Sequence, residues 1–247
     1  MNINSNSKSE VEKFNLLAKS WWELDGPMRF LHRMSYARMD FLRERVEASI
    51  VNNNNKLKIL QGWKALDLGC GGGIASESLA RMGAQVDGVD PAKELIDIAK
   101  NHAKLSDLDI TYEVASLEKM VKRKKKYNLI TVFEVLEHVE DVQHFIKSLN
   151  RCVLPGGIVI FSTINRTLAS LIFAKIAAEY VFKIVPKNTH QWNKFLKPSE
   201  VAEFLNCSGF KVDCIEGLIP KLGPGYITWR RTRNNRVNYI ISAVYHS

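Results

Sequence analysis

From Trp63 onward, short runs of β-branched and apolar residues alternate with longer stretches in which apolar positions recur every three or four residues. The short runs predict strands over residues 65–68, 85–89, 110–114, 127–133 and 158–162. Between them the longer period predicts helices over 74–82, 93–105 and 142–153. This alternation implies a parallel sheet with helices on both faces, a doubly wound α/β plan.

After the fifth strand the rhythm breaks. Residues 166–185 form a long apolar segment, PKNTHQWNKF follows, and LKPSEVAEFLNCSGF restores a helix with a glycine stop. An insertion over about 164–197 is therefore expected. Residues 211–216 and 239–244 read as two closing strands joined across GLIPKLGPGYITWRRTRNNR by a long basic loop, which makes seven strands with the last one antiparallel. Before Trp63 the pattern predicts helices over 10–22 and 36–50, a turn at Asp25-Gly26-Pro27 between them, and an asparagine-rich linker after them. The expected organisation is one domain, 1–247, in which a helical lid, 1–62, sits on a core, 63–247.

Charge and cysteines narrow the partners and the compartment. A formal net charge of +9 favours anionic surfaces and is silent about fold. The four cysteines show no paired metal spacing, and a chain of this length builds a core without disulfides, so a reducing compartment is expected. MNINSNSKSEVEK has no apolar signal core, and no window supplies the ~18 uncharged apolar residues of a spanning helix. Contact with a membrane would then be at its surface.

The segment ALDLGCGGGIASESLA places Gly69, Gly71, Gly72 and Gly73 between a buried strand and an amphipathic helix, where missing side chains let backbone approach a ligand. A dinucleotide fingerprint needs a third glycine at position 74, which is Ile74. The spacing is instead Asp67-x-Gly69-x-Gly71-x-Gly73, which resembles the first motif of Rossmann-like S-adenosylmethionine-dependent methyltransferases. The following strand ends VDGVDP, so Asp90 lies at the carboxyl edge of the sheet, where a carboxylate accepts both ribose hydroxyls. Asp67 either positions the ligand's amino group through the loop or fixes the turn.

The fourth strand runs into acids and an imidazole in YNLITVFEVLEHVED, which puts Phe133, Glu134, Glu137 and His138 on the same edge. In a helical turn, positions three and four apart share a face, so Glu134, Glu137 and His138 would converge. Two carboxylates and an imidazole suit a magnesium ion that acidifies a phenol. Equally, His138 would accept the phenolic proton while a glutamate orients its ring. A third reading makes the acids a solvated helix start.

With these residues in view, the chain resembles the ubiquinone-biosynthesis O-methyltransferase family of class I methyltransferases. The segments that carry the likeness span nearly all of the sequence: FNLLAKSWWELDGPMRFLHRMSYARMDFL, LDLGCGGGIASESLARMGAQVDGVD, FEVLEHV, LPGGIVIFSTINRT, AEYVFKIVPKNTHQWNKFLKP and NYIISAVY. The resemblance implies a Rossmann-like fold and methylation of phenol and catechol hydroxyls on polyprenylated ubiquinone precursors. It also implies cofactor contact by Arg38, Gly69, Asp90 and Phe133, and a magnesium site at Glu134, Glu137 and His138. The arginine-rich TWRRTRNNR departs from the family's usual milder segment.

Two further segments gain meaning from that setting. Trp21, Trp22, Phe30 and His32 read either as helix-to-core packing or as a lid over the cofactor, and Arg38 has the reach for a bidentate grip on the cofactor's carboxylate. In NRTLASLIFAKIAAEYVFKIVPK a wide apolar face is flanked by Arg166, Lys183 and Lys187, which suits docking on anionic lipid through about 166–187. The expected location is cytoplasmic, peripheral at the inner membrane surface, with a quinone-biosynthesis complex as a further partner and no nucleic acid. The rivals are an RNA methyltransferase, favoured by the charge but without an Asn-Pro-Pro-aromatic motif, and a non-catalytic scaffold of quinone synthesis.

Overall fold

The computed structural model describes residues 20–49, 57–171, 194–223 and 226–246, with side chains at 222, 223, 226 and 227 left aside. The expected helix over 10–22 therefore lies almost wholly outside the described residues, as does most of the insertion.

Helix α1, Arg29–Ser49, precedes strand β1, Lys64–Leu68. Then follow α2 (Ile74–Arg81), β2 (Gln85–Asp90), α3 (Lys93–Leu105), β3 (Ile110–Val114), α4 (Leu117–Lys122), β4 (Tyr127–Phe133), α5 (Val142–Leu149) and β5 (Val153–Ile164). Helix α6 (Pro198–Cys207) and strands β6 (Phe210–Gly223), β7 (Tyr226–Thr232) and β8 (Asn238–Tyr245) close the chain. The sheet order is β3-β2-β1-β4-β5-β8-β6-β7. β1 to β5 pair in parallel, whereas β8 is antiparallel to both β5 and β6. Strand order reverses between β1 and β4, and the crevice beyond their carboxyl ends is where ligands of such sheets bind.

Strands sandwiched between helix layers must be apolar on both faces. Leu66, Ile130, Val132, Val159 and Phe161 pack toward Leu117 and Met120 of α4, Phe145 and Ile146 of α5, and Val201 and Leu205 of α6. Their neighbours Ala65, Leu129, Ile158 and Ile160 pack the other way, against Met34, Phe41, Leu42 and Val46 of α1. Alternate residues thus feed two cores.

Three expectations need correction. The sheet has eight strands rather than seven, because most of the supposed basic loop is a hairpin: β6 runs on to Gly223 and β7 returns beside it. Trp229 is buried under α1, and Arg231 turns inward to Glu44 and to Glu216, 2.8 Å away, so arginines that read as loop are sheet residues with partners. The helix over 142–153 stops at Leu149, and β5 starts earlier, at Val153, ahead of Gly156 with φ +73°. Helix α1 starts at Arg29 rather than 36, directly after the turn in which the Gly26 N–H donates to the Glu23 carbonyl at 2.9 Å.

Candidate active site

β1, β2 and β4 deliver their carboxyl ends to one crevice. At the first, the chain leaves Leu68 through Gly69 (φ +75°) and Gly71 (φ +52°) before α2 begins. These glycines are demanded by what lies against them. A side chain on Gly69 would collide with Val135 after β4, and one on Gly71 would meet Trp21 Cζ2 at 2.5 Å. The loop is therefore wedged between the residues that follow β4 and the amino-terminal segment.

Asp90 ends β2, nearly buried at 9% exposure, and its carboxylate faces this loop. Its Oδ2 accepts from the Gly71 N–H at 2.9 Å and its Oδ1 from the Ala92 N–H at 2.8 Å. Burial pushes its pKa up to about 6, against the pull of the two backbone donors. Each carboxylate oxygen keeps further acceptor capacity. Asp67 behaves otherwise. Thr131 Oγ1 donates to its Oδ1 at 2.8 Å and Ser76 Oγ to its Oδ2 at 2.6 Å, so it ties β1 to β4 and α2. Of its two expected roles the structure displays the fixing of the turn, through Ser76 and Thr131.

The segment after β4 departs from the expected helical turn. Glu134 adopts φ +54°, a left-handed conformation rare outside glycine, and only Leu136–His138 form a single 3₁₀ turn. The backbone N–H of Glu134 donates to the Ser162 carbonyl at 2.8 Å, which aims its side chain away from the turn. There its Oε1 accepts from Arg38 Nη2 at 2.6 Å, Ser162 Oγ at 3.0 Å and Asn238 Nδ2 at 3.1 Å. Glu137 is buried and accepts from Thr163 Oγ1 at 2.7 Å. Burial, reinforced by the charge of Glu134 and opposed by His138, raises its pKa to about 7.

The three groups thus occupy one crevice without forming the expected metal set. Glu134, Glu137 and His138 are all described, and no group of three or more His, Cys, Asp or Glu that could hold a metal ion is present among the described residues. As arranged, they do not fit a divalent ion. Glu134 is committed to a guanidinium and an amide.

Arg38 of α1 reaches the crevice as expected, with its guanidinium 5.0 Å from the Phe133 ring centroid. Burial depresses its pKa, an effect that Glu134 opposes, and its buried Nε has no hydrogen-bond partner among the described residues. A donor left unmet in a buried place is costly unless a ligand completes it. His138 closes the short turn that follows β4, at the same carboxyl edge of the sheet as Asp90 at the end of β2. Ser162, Thr163, Asn238 and Trp21 complete the site. The Ser-Thr pair closing the apolar run of β5 was a usable signal for the first two, whereas nothing local in the sequence marks Asn238, 104 residues from Glu134.

Comparison with known proteins points one way. Residues 30–215 match the family described as a methyltransferase domain. The ubiquinone biosynthesis O-methyltransferase of Pelagibacter ubique is 38% identical over 238 residues, covering 96% of this chain and 98% of that protein. Its counterpart in Brucella anthropi is 37% identical over 239 residues, covering 95% and 94%. Among solved structures, the plantazolicin methyltransferase in complex with a desmethyl substrate analogue and SAH superposes with TM-score 0.65 at 13% identity, covering 97% of each chain. The magnesium protoporphyrin IX methyltransferase of Synechocystis PCC 6803 with bound SAM gives TM-score 0.57 at 18% identity, covering 94% of this chain and 97% of that one.

Proposed function

The chain belongs to the ubiquinone biosynthesis O-methyltransferase family and is an S-adenosylmethionine-dependent methyltransferase, and from that premise we propose that it methylates the phenol and catechol hydroxyls of polyprenylated ubiquinone precursors. The glycine loop and Asp90 hold the adenosine, with the carboxylate accepting from the ribose hydroxyls. Arg38 offers its unmet Nε to the cofactor's carboxylate, Phe133 backs that guanidinium, and Asp67 keeps the loop in shape through Ser76 and Thr131. His138 takes the proton of the acceptor hydroxyl, and the neighbouring Glu137 stabilises the imidazolium. The phenolate oxygen attacks the methyl carbon in line as the carbon–sulfur bond breaks, which yields S-adenosylhomocysteine and an aryl methyl ether. Most of the acceleration comes from holding the two reactants at attack distance. The observation that carries this reading is the bond from the Gly71 N–H to Asp90 at the sheet edge where the turn of Leu136–His138 also lies.

Purified protein, labelled cofactor and a short-tailed catechol test it. Transfer of the methyl to a catechol oxygen is expected, and no transfer to any hydroxyl overturns it. A chelator arm addresses magnesium, which donor chemistry alone supports. Turnover unmoved by chelator is expected from the present arrangement of Glu134. Turnover lost with chelator and restored by magnesium would mean that the ion displaces Arg38 from Glu134.

Among the described residues no helix is long and apolar enough to cross a membrane. Docking at the surface through 166–187 rests on the sequence, since residues 172–193 lie outside those described. The protein is expected to sediment with vesicles containing anionic lipid, and the double variant Phe173→Glu, Phe182→Glu to remain in the supernatant. Equal sedimentation of the two would reject that docking.

A further inference from the structure

The amino-terminal aromatic segment sits directly on the glycine loop. Trp21 is 5% exposed, and its ring fills the space that side chains on Gly71 and Gly72 would need, with Nε1 2.6 Å from where a Gly72 methyl would stand. That buried indole N–H has no hydrogen-bond partner among the described residues. The loop backbone beneath it bonds Asp90 through the Gly71 N–H. An unmet buried donor packed on the loop that bonds Asp90 calls for an acceptor on the ligand that the loop seats.

The next residue explains how the ring is held there. Trp22 Nε1 donates to the Gly72 carbonyl at 2.9 Å, and the Trp22 ring lies parallel to that of His102 on α3, centroids 3.4 Å apart and planes within 1°. His102 Nδ1 is 2.5 Å from Glu77 Oε1, and Glu77, buried in α2, is also 3.3 Å from Arg81 Nη2. On the far side, His32 Nε2 is 2.7 Å from the Trp21 carbonyl. The segment is clamped to α1, α2 and α3 at once.

We propose that Trp21 is a cofactor-contacting residue whose indole N–H donates to the adenosyl part of S-adenosylmethionine, with Trp22, His102 and Glu77 as positioning residues that hold it on the glycine loop. The inference rests on the reading above, in which that loop and Asp90 seat the adenosine. It gives the amino-terminal lid a defined point of contact.

Calorimetry of the full chain with S-adenosylhomocysteine tests it, together with thermal melts without ligand and steady-state kinetics. Trp21→Phe keeps an aromatic ring and removes the N–H. It is expected to weaken binding about tenfold, as one buried hydrogen bond is worth, while the ligand-free melting temperature falls only by what the smaller buried ring costs in packing. A purely packing role would lower the melting temperature and leave the affinity alone. His102→Ala is expected to raise the KM for S-adenosylmethionine about fivefold, the scale of one lost ring pair, with kcat at saturating cofactor retained. Wild-type affinity in Trp21→Phe overturns the contact. An unchanged KM in His102→Ala overturns the positioning. Asp90→Ala separates the two levels: if it too binds like wild type, the seating of the cofactor is wrong, whereas loss there beside full affinity in Trp21→Phe sinks this inference alone.

Discussion

Asp90→Ala is expected to weaken S-adenosylmethionine binding by about 10²- to 10⁴-fold, with the fold retained. The magnitude follows from losing two charge-assisted hydrogen bonds to the ribose, each worth roughly 1.5–3 kcal/mol in a buried setting. The same carboxylate sets a pH dependence. Its pKa is raised to about 6, so the acid is protonated below that pH and accepts fewer hydrogen bonds, and affinity rises as pH climbs through about 6. The sign for stability is opposite. A carboxyl whose folded pKa lies above its ordinary 3.8 favours the folded chain at low pH, and that contribution is lost between about 4 and 6. The ligand-free protein should therefore lose stability over the interval in which it gains affinity. Calorimetry from pH 5 to 8 on wild type and Asp90→Asn checks this. The variant should bind weakly throughout, with no step near pH 6, and a step that persists in it would remove Asp90 from the account.

His138→Ala is expected to reduce kcat by about 10²- to 10⁴-fold, the usual contribution of a positioned general base, with cofactor affinity kept within about twofold. It differs from Asp90→Ala because the proposed mechanism sets His138 against the acceptor and Asp90 against the adenosine. A second reading follows from the chemistry of the acceptor: a phenol that ionises in solution needs no base, so the deficit should shrink as pH rises or when an acidic nitrocatechol replaces the natural phenol. Single-turnover rates with both acceptors measure it. Full turnover in His138→Ala would end the assignment, and an equal deficit for both acceptors would make the imidazole a binding group instead.

What was legible in the sequence was local. The first four parallel strands, the glycine spacing and Asp90 at the end of its strand depend on neighbours in the chain and appear where expected, and the fifth strand contains its expected span but begins five residues earlier. The chemistry after β4 was half legible. Its residue types are plain in the sequence, but a helical period puts Glu134, Glu137 and His138 on one face, whereas Glu134 is turned out by its left-handed backbone and held by partners 96 and 104 positions away. No window of sequence contains Arg38, Glu134 and Asn238 together. The hairpin of β6 and β7 was missed for another reason. Arg230 and Arg231 break the apolar alternation around Trp229, and only the acids at Glu44 and Glu216 make an inward arginine acceptable. Trp21 and Trp22 allow a packing role and a lid role, and the structure displays the packing, with both residues against the glycine loop.

A crystal structure of the complex with S-adenosylhomocysteine should show both ribose hydroxyls within about 2.6–3.2 Å of the Asp90 carboxylate, the sulfur turned toward His138, and the adenosine against Gly69 and Gly71. A ligand seated elsewhere, or one whose sugar leaves Asp90 bonded only to the backbone N–H groups of Gly71 and Ala92, would contradict it.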